Sequence, residues 1–221
     1  MTVHSAIDYP GPLLGEPLPL ELANTRYLVR GRHPHDGLES IERFGAWLAQ
    51  VRSRLRIRLS DDDLRTVHGT ELTLVRDLRD CVHELATASI EHQRPSGEVI
   101  NRLNRHARAA PEWSELRWDA RPTVETRSGA APATAAISEI AVATVELFSS
   151  PGAANIRSCP ASGCILYFVK DHARREWCST ACGNRVRAAR HYERQRHSAP
   201  SPRAVPDQIT TDDTRRGPDS G

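Results

Sequence analysis

The chain has 221 residues, a length that suits either one moderate domain plus a small one or a single larger domain, and 38% of the residues are hydrophobic and 26% charged. No stretch approaches the roughly 18 to 20 consecutive apolar residues of a membrane span. The first 19 residues show neither the basic region nor the apolar region of a secretory signal. We therefore expect a cytoplasmic protein that does not contact membranes.

A formal net charge of +2 hides an uneven distribution of charge. Residues 157–197 carry nine basic and three acidic side chains, a net charge of +6, whereas residues 1–156 carry a net charge of −3. A basic block in a near-neutral chain indicates an anionic partner.

The first third of the chain predicts an irregular segment followed by a helix. Residues 1–17 are rich in proline and glycine and predict an irregular lead-in. Residues 20–29 could form a short helix or a strand, and residues 31–37 predict a loop. Apolar residues then recur at intervals of three and four over residues 38–55, which predicts an amphipathic helix with Asp36 as its N-cap.

Three more helices and a hairpin are predicted before residue 150. Ser60 and the three aspartates after it predict the start of a long helix that runs to about Glu91. Helical spacing also covers residues 98–109 and 134–148. Between these two segments, alternating residues over 113–126 predict a β-hairpin.

Four of the five cysteines lie within 24 residues, in the pattern C-x4-C-x13-C-x3-C. They are Cys159, Cys164, Cys178 and Cys182. Clustered cysteines without an export signal favour a metal over the alternatives of two disulfides or four unligated thiols, and the spacing favours zinc over iron. Four thiolates leave no open position for water, so we expect one structural Zn²⁺ per chain. Cys81 stands on the apolar face of the long helix, and we expect it to be a small buried hydrophobe.

The segments around the cysteines predict a small zinc module. Residues 165–170 alternate and residues 175–177 return, which predicts a β-hairpin between the two cysteine pairs. A helix over residues 183–196 would carry the last ligand in its first turn. This order is typical of a treble-clef-like or ribbon-like module. The predicted fold class is therefore mainly α, with a small β-hairpin element and a C-terminal zinc module.

The predicted C-terminal helix has a basic face formed by Arg187, Arg190, His191 and Arg194. Guanidinium groups match phosphate geometry, and a basic helix can lie in a major groove. We expect these arginines to contact nucleic acid, with help from Arg174, Arg175 and Arg185. The alternative is a solvated face that keeps the module soluble, and Arg185 could instead pair with Glu176 or Asp171.

Cys182-Gly183-Asn184-Arg185 spells CGNR. Together with the cysteines upstream and Trp177-Cys178, it makes residues 157–196 resemble the bacterial CGNR zinc-finger family. Residues 18–150 resemble the companion ABATE domain of that family, through the LELANT motif of residues 20–25 and through Ala46-Trp47-Leu48. Glu21 stands where the family usually has aspartate. The resemblance implies a stress-related transcription regulator with a C-terminal DNA-binding finger.

These observations predict four regions. Residues 1–17 form the lead-in, residues 18–150 an ABATE-like helical domain for sensing or dimerisation, residues 155–197 the CGNR-type finger, and residues 198–221 a disordered tail.

The leading hypothesis is a bacterial DNA-binding transcription regulator, associated with the nucleoid if it binds DNA. A lone finger would bind DNA weakly, so we expect a homodimer, and we expect an unknown small-molecule effector. The alternative is a zinc-dependent protein-interaction adaptor whose helical domain binds a small molecule. RNA in place of DNA is a variant of the first hypothesis. The histidines are dispersed and no glycine-rich phosphate loop is present, so we do not expect an enzyme.

Overall fold

The computed structural model describes residues 10–29 and 32–198. Within the predicted lead-in, residues 10–17 form neither helix nor strand. Residues 1–9 of the lead-in, and the predicted disordered tail from residue 199 onward, lie outside the described residues. Across the part of the chain that is described, no helix has the length and apolar character that crossing a bilayer demands.

The described chain is mainly helical, as predicted, with three antiparallel strand pairs. The helices are α1 (Leu18–Ala23), α2 (Ile41–Val51), α3 (Asp61–Arg65), α4 (Gly69–Ile90), α5 (Gly97–Ala107), α6 (Pro132–Ser149) and α7 (Thr180–Ser198). The strands are β1 (Arg26–Val29), β2 (His33–Asp36), β3 (Glu112–Trp118), β4 (Pro122–Ser128), β5 (Ile156–Ser158) and β6 (Tyr167–Val169). Strand β1 pairs with β2, β3 with β4, and β5 with β6.

The main hydrophobic core lies between helices α2, α4, α5 and α6. Phe44 and Trp47 from α2, Leu78 from α4, and Ile137 and Ile140 from α6 are almost completely buried there. Cys81 is also fully buried in this core, and burial raises its pKa to about 11. The prediction that Cys81 is a buried hydrophobe is therefore confirmed.

Helix α2 begins later than the apolar spacing predicted. Its N-cap is Ser40, whose hydroxyl accepts a hydrogen bond from the Arg43 N–H at 3.3 Å. The prediction of Asp36 as the N-cap was wrong, because the Asp36 carboxylate instead pairs with the Arg79 guanidinium of α4. Burial raises the pKa of Asp36, but hydrogen bonds from Arg79 and from the Leu38 N–H outweigh it and hold the pKa below its usual value.

The predicted long helix from Ser60 to Glu91 is two helices. Ser60 and Asp63 form a reciprocal capping box that starts α3, which ends at Arg65. Residues 66–68 then interrupt the helix, and α4 restarts with His68 as its N-cap and the Glu71 carboxylate accepting from the His68 N–H. Two capping signals only eight residues apart explain the break.

The segment predicted as a loop over residues 31–37 contains strand β2. Residues 33–36 pair with residues 26–29 of β1 in an antiparallel ladder. For residues 20–29 the sequence allowed either a helix or a strand. The structure has both, because α1 ends within this segment and β1 follows it. Arg79 holds this ladder against α4, since it donates to Asp36 at 2.8 Å and to the Thr25 hydroxyl at 3.1 Å.

The remaining predictions for this part of the chain are confirmed. Helices α5 and α6 cover the segments 98–109 and 134–148 to within two residues at each end. The predicted hairpin is the β3–β4 pair, joined by residues 119–121.

Candidate metal centre and basic helix

Four cysteine thiols converge at one point of the structure. The Sγ atoms of Cys159, Cys164, Cys178 and Cys182 all lie within 4.8 Å of one another. The Cys164–Cys178 and Cys178–Cys182 Sγ–Sγ distances are 3.7 and 3.6 Å. A tetrahedral zinc with Zn–S bonds of about 2.3 Å requires sulfurs about 3.8 Å apart, whereas a disulfide requires about 2.05 Å. The spacing fits four zinc ligands and excludes disulfides between these pairs.

Each cysteine pair is positioned by its own local structure. Gly163, with φ of 68°, allows the tight turn in which the Cys164 N–H donates to the Ala161 carbonyl at 2.9 Å. In the second pair, the Cys182 N–H in the first turn of α7 donates to the Ser179 hydroxyl at 3.3 Å. The prediction that the last ligand lies in the first turn of the helix is confirmed.

The strand pairing of the module differs from the prediction. Strand β6 was expected to pair with residues 175–177, but it pairs with β5, which precedes the first cysteine. Ile156 is opposite Val169, and the Cys159 N–H extends the ladder by donating to the Leu166 carbonyl at 2.9 Å. The first cysteine pair therefore lies in the connection between the two strands.

Within the thiol cluster negative charge is stabilised on Cys164, whereas burial raises the pKa of Cys159. The thiolate is the form in which cysteine binds zinc. The hydrogen bond from the Cys178 thiol lowers the pKa of Cys164 to about 5, and the same bond raises the pKa of Cys178. The Arg185 guanidinium also donates to the Cys182 Sγ at 3.3 Å. A donor that bonds a ligand sulfur fixes the direction of that ligand.

The zinc module shares a small hydrophobic core with the N-terminal part of the chain. Phe168 and Leu166 are buried with the cysteines, and Tyr27 of β1 is buried in the same cluster. Leu14 and Val29 pack against the edge of that cluster. The module is therefore attached to the helical domain through residues of the lead-in and of β1.

Two buried polar residues strengthen this attachment. The Asn24 side chain accepts from the Tyr167 N–H at 2.8 Å and donates to the Tyr167 carbonyl at 2.9 Å, so it extends the β6 backbone pairing. The Glu16 carboxylate accepts from the Val169 N–H at 2.9 Å and pairs with Arg175. Both residues are at most 2% exposed.

Glu16 and Asn24 are contact residues that the sequence did not predict. Asn24 belongs to the LELANT motif. A polar residue directly after a short apolar segment is the sequence signal that indicates such a contact. Glu21 of the same motif holds the lead-in instead, because its carboxylate accepts from the N–H groups of Leu14 and Glu16.

The arginines predicted to contact nucleic acid lie in different environments in the structure. Arg175 is 21% exposed, and besides Glu16 it donates to the Val169 carbonyl at 3.1 Å and lies over the Phe168 ring. Arg174 is exposed at the surface of the module, and Arg185 is the partner of Cys182. The contacts of these three with nucleic acid stay predictions.

Farther along α7, the exposed residues Arg187, Arg190 and Arg194 recur at intervals of three and four. Together with His191 and Glu193 they line an open depression on that helix. The Arg194 side chain donates to the Arg190 carbonyl at 3.3 Å. The predicted basic face is thus present as one helical face, and its contact with nucleic acid stays a prediction.

Comparison with protein families accounts for both parts of the chain. The ABATE family model, described as "putative stress-induced transcription regulator", matches residues 16–151. The chain belongs to the ABATE family. A second model, the CGNR zinc finger, matches residues 155–195 of this ABATE protein. None of the curated proteins matches the chain.

The family matches and the thiol geometry together confirm the zinc prediction. This ABATE protein carries a zinc finger with four cysteine ligands in place for one structural zinc. When bound, the metal supplies a fourfold cross-link between the β5–β6 connection and the start of α7. The two matched families are a regulator domain and a zinc finger, and neither is a family of enzymes.

Proposed function

We propose that this protein is a DNA-binding transcription regulator that contacts DNA through Arg187, Arg190 and Arg194 of α7. The observation that carries the proposal is the exposed row of arginines on the helix that also supplies the last zinc ligand. Three guanidinium groups on one helical face provide bidentate donors for successive phosphates or for base edges in the major groove. The regulator family of residues 16–151 supports the same function.

The three other predicted arginines take different parts in the proposal. Arg174 is exposed and adds a phosphate contact from the module. Arg175 and Arg185 are assigned first to the structure of the module, because their guanidinium groups contact Glu16 and the Cys182 sulfur. A contact of Arg175 or Arg185 with DNA would be an additional role, secondary to the structural one.

The salt dependence of DNA binding tests the proposal. Each phosphate contact contributes about 0.9 to the slope of log K against log salt concentration. Replacing Arg187 and Arg190 by alanine should lower that slope by about 2 and weaken binding to random duplex by about 10-fold or more. The matched control replaces Arg94 and Arg105, two exposed arginines of the helical domain, and removes the same charge.

The two double variants separate the outcomes. An unchanged slope in the Arg187/Arg190 variant would show that the proposed contact face is wrong. An equal loss in the Arg94/Arg105 control would show that binding depends on total charge alone. Competition by single-stranded RNA tests whether RNA is the preferred partner.

We further propose that the helical domain senses a small molecule in a cavity shared with the finger. An open cavity of about 470 Å³ is lined by residues of α4 and the start of α5, and by Tyr167 of β6. The buried His83 Nε2 has no hydrogen-bond partner among the described residues, and burial lowers the pKa of His83. The Nε2 atom is itself buried, so it would accept a hydrogen bond from a ligand once the ring turns toward the cavity. A ligand in this cavity would contact both the helical domain and the finger.

Thermal shift with a compound library tests the cavity. A compound that binds here should raise the Tm of the wild-type protein and should not raise that of His83→Leu. If every compound that stabilises the wild-type protein stabilises this variant equally, the cavity is not the effector site.

The adaptor function is supported by one observation, the exposed apolar hairpin β3–β4. A protein-interaction adaptor would show no steep salt dependence with DNA, and would bind a protein partner through a salt-insensitive apolar contact. The salt titration therefore distinguishes the two functions. We propose no enzymatic activity.

A further inference from the structure

One face of the β3–β4 hairpin exposes large apolar side chains. Leu116 and Val124 are each 67% exposed and Trp118 is 73% exposed. The strand register places Leu116 opposite Val124, and Trp118 opposite Pro122, all on the same face. Exposed apolar groups of this size mark an interaction surface, and a neighbouring strand would bury part of each side chain through cross-strand contacts.

The other face of the hairpin carries alternating charges. The Arg117 guanidinium donates to Glu125 at 3.0 Å, and the Arg127 guanidinium donates to Glu115 at 3.3 Å. Along β3, Glu115 and Arg117 precede and follow Leu116. Their side chains lie on the charged face, and the Leu116 side chain lies on the apolar face. The strand therefore presents an acidic and a basic group at equal distances on either side of a central leucine.

One edge of this hairpin is available for a further strand. On the β4 side, Thr126 forms an isolated bridge with Ile57. On the β3 side, none of the strands within residues 10–29 and 32–198 pairs with the outer edge. An edge strand of seven residues offers unpaired N–H and C=O groups to a strand from another chain.

We propose that a second copy of this chain pairs its own β3 with this edge, antiparallel, around a twofold axis at Leu116. In that register Glu115 lies opposite Arg117 of the second copy, and Arg117 lies opposite Glu115 of the second copy. Leu116 meets its counterpart, and Trp118 lies across from the small side chain of Ser114. Opposite charges and apolar pairs placed directly across an antiparallel ladder stabilise it.

Other registers of this strand against itself are less favourable. A twofold axis at Glu115 or at Arg117 would place two like charges directly opposite each other. A shift by one residue would bring Leu116 onto the face of the charged residues. Of these registers, only the axis at Leu116 pairs Glu115 with Arg117 and keeps Leu116 and Trp118 of both copies on one face. Strand β3 is thus complementary to itself, as a twofold interface requires.

The expectation of a second copy rests on the proposed DNA-binding function, but self-association is measured without DNA. Sedimentation velocity of the full chain over a range of protein concentrations should show a reversible monomer–dimer equilibrium. Glu115→Arg and Arg117→Glu should each weaken the dimer at least 10-fold, because each variant opposes like charges across the axis. Glu125→Gln removes ion pairs within the hairpin but changes no edge residue, and it should leave the dimer intact.

Mixing the two charge variants gives the decisive measurement. A heterodimer of Glu115→Arg with Arg117→Glu regains opposite charges at both pairs, so the mixture should associate as strongly as the wild-type chain. A monomeric wild-type chain, or a dimer that neither variant weakens, would overturn the proposal, and so would a mixture that stays monomeric. A monomer that binds DNA with a steep salt slope would refute this interface alone, and a dimer without DNA affinity would refute the DNA-binding function alone.

Discussion

The helical core and the zinc module are stabilised by different physical means. In the helical domain, apolar faces of α2, α4 and α6 exclude water around residues such as Trp47, Leu78 and Ile140. Burial of apolar area of this kind contributes about 25 cal/mol for each Å². The helical domain has enough of these residues to form a core of its own.

The zinc module has a much smaller apolar core, and its metal ligands are part of it. Besides the cysteines, the cluster contains the buried residues Ala161, Leu166 and Phe168 of the module and Tyr27 of β1. Its contact with the helical domain combines two buried polar groups, Asn24 and Glu16, with an apolar cluster in which Ile156 of β5 packs against α1 and α4. The module therefore depends on zinc and on its neighbour, whereas the helical domain has a large core of its own and shares only its edge with the module.

Removal of one zinc ligand should have the largest effect. Cys178→Ser should abolish zinc binding and unfold the module, because the metal supplies on the order of 10 kcal/mol of folding free energy in such modules. The helical signal in far-UV circular dichroism should fall only by the contribution of α7. Zinc content by elemental analysis, with circular dichroism on the same sample, measures both effects.

Cys81 provides the matched control for this variant. Cys81→Ala removes a thiol from the helical core, so it should keep one zinc per chain and lower the free energy of unfolding slightly. If Cys178→Ser kept its zinc, or if it melted the whole chain, the contrast between the two regions would be wrong.

A buried arginine of the helical domain should give the next largest effect. Arg79 is 1% exposed and pairs with Asp36. Arg79→Met should lower the free energy of unfolding by about 3–5 kcal/mol, because a partly buried carboxylate is left without its partner. Urea unfolding measures the loss, and zinc content should remain unchanged.

An exposed ion pair serves as the comparison for Arg79. Arg65 and Asp62 pair with side chains that are 70% and 80% exposed. Arg65→Met should change stability by less than about 1 kcal/mol. Similar losses in the two variants would mean that the burial of Arg79 contributes nothing to stability.

The sequence predicted those features that depend on local periodicity and spacing. The helices α5 and α6, the hairpin β3–β4 and the four-cysteine cluster follow from patterns that neighbouring residues define. Capping signals also act locally, but two of them compete around Ser60 and His68, and the predicted long helix is split there.

The features that the sequence could not predict depend on contacts between distant residues. Strand β2 forms from a charged segment because Arg79, 43 residues away, pairs with Asp36. Asn24 meets Tyr167 across 143 residues. The pairing of β6 with β5 rather than with residues 175–177 also depends on where the module packs. No local pattern encodes such choices.

Loss of the Asn24 contact should separate the unfolding of the two regions. Asn24→Ala leaves the N–H and C=O groups of Tyr167 without their side-chain partner in a partly buried place, which should cost about 2 kcal/mol. Because these bonds join the module to the helical domain, urea unfolding should become biphasic when monitored by tryptophan fluorescence and by circular dichroism.

An exposed asparagine of α5 gives the control. Asn101→Ala removes the same side chain from the helix surface and should leave a single transition with nearly unchanged stability. A single transition for Asn24→Ala at wild-type stability would show that the shared core around Tyr27 is sufficient to join the two regions.

The smallest expected effect concerns the strength of zinc binding. The Arg185 guanidinium donates to the Cys182 sulfur at 3.3 Å, so Arg185→Ala should weaken zinc binding by about 10-fold without unfolding the module. Competition with a chromogenic chelator measures the affinity.

Arg174→Ala removes an exposed arginine of the same module and should leave the affinity unchanged. If both variants lost affinity equally, the positive charge of the module would support the thiolates in a general way. A loss confined to Arg185→Ala would instead assign the effect to the hydrogen bond on the Cys182 sulfur. The arginine of the CGNR motif would then serve zinc binding first, whether or not it also contacts DNA.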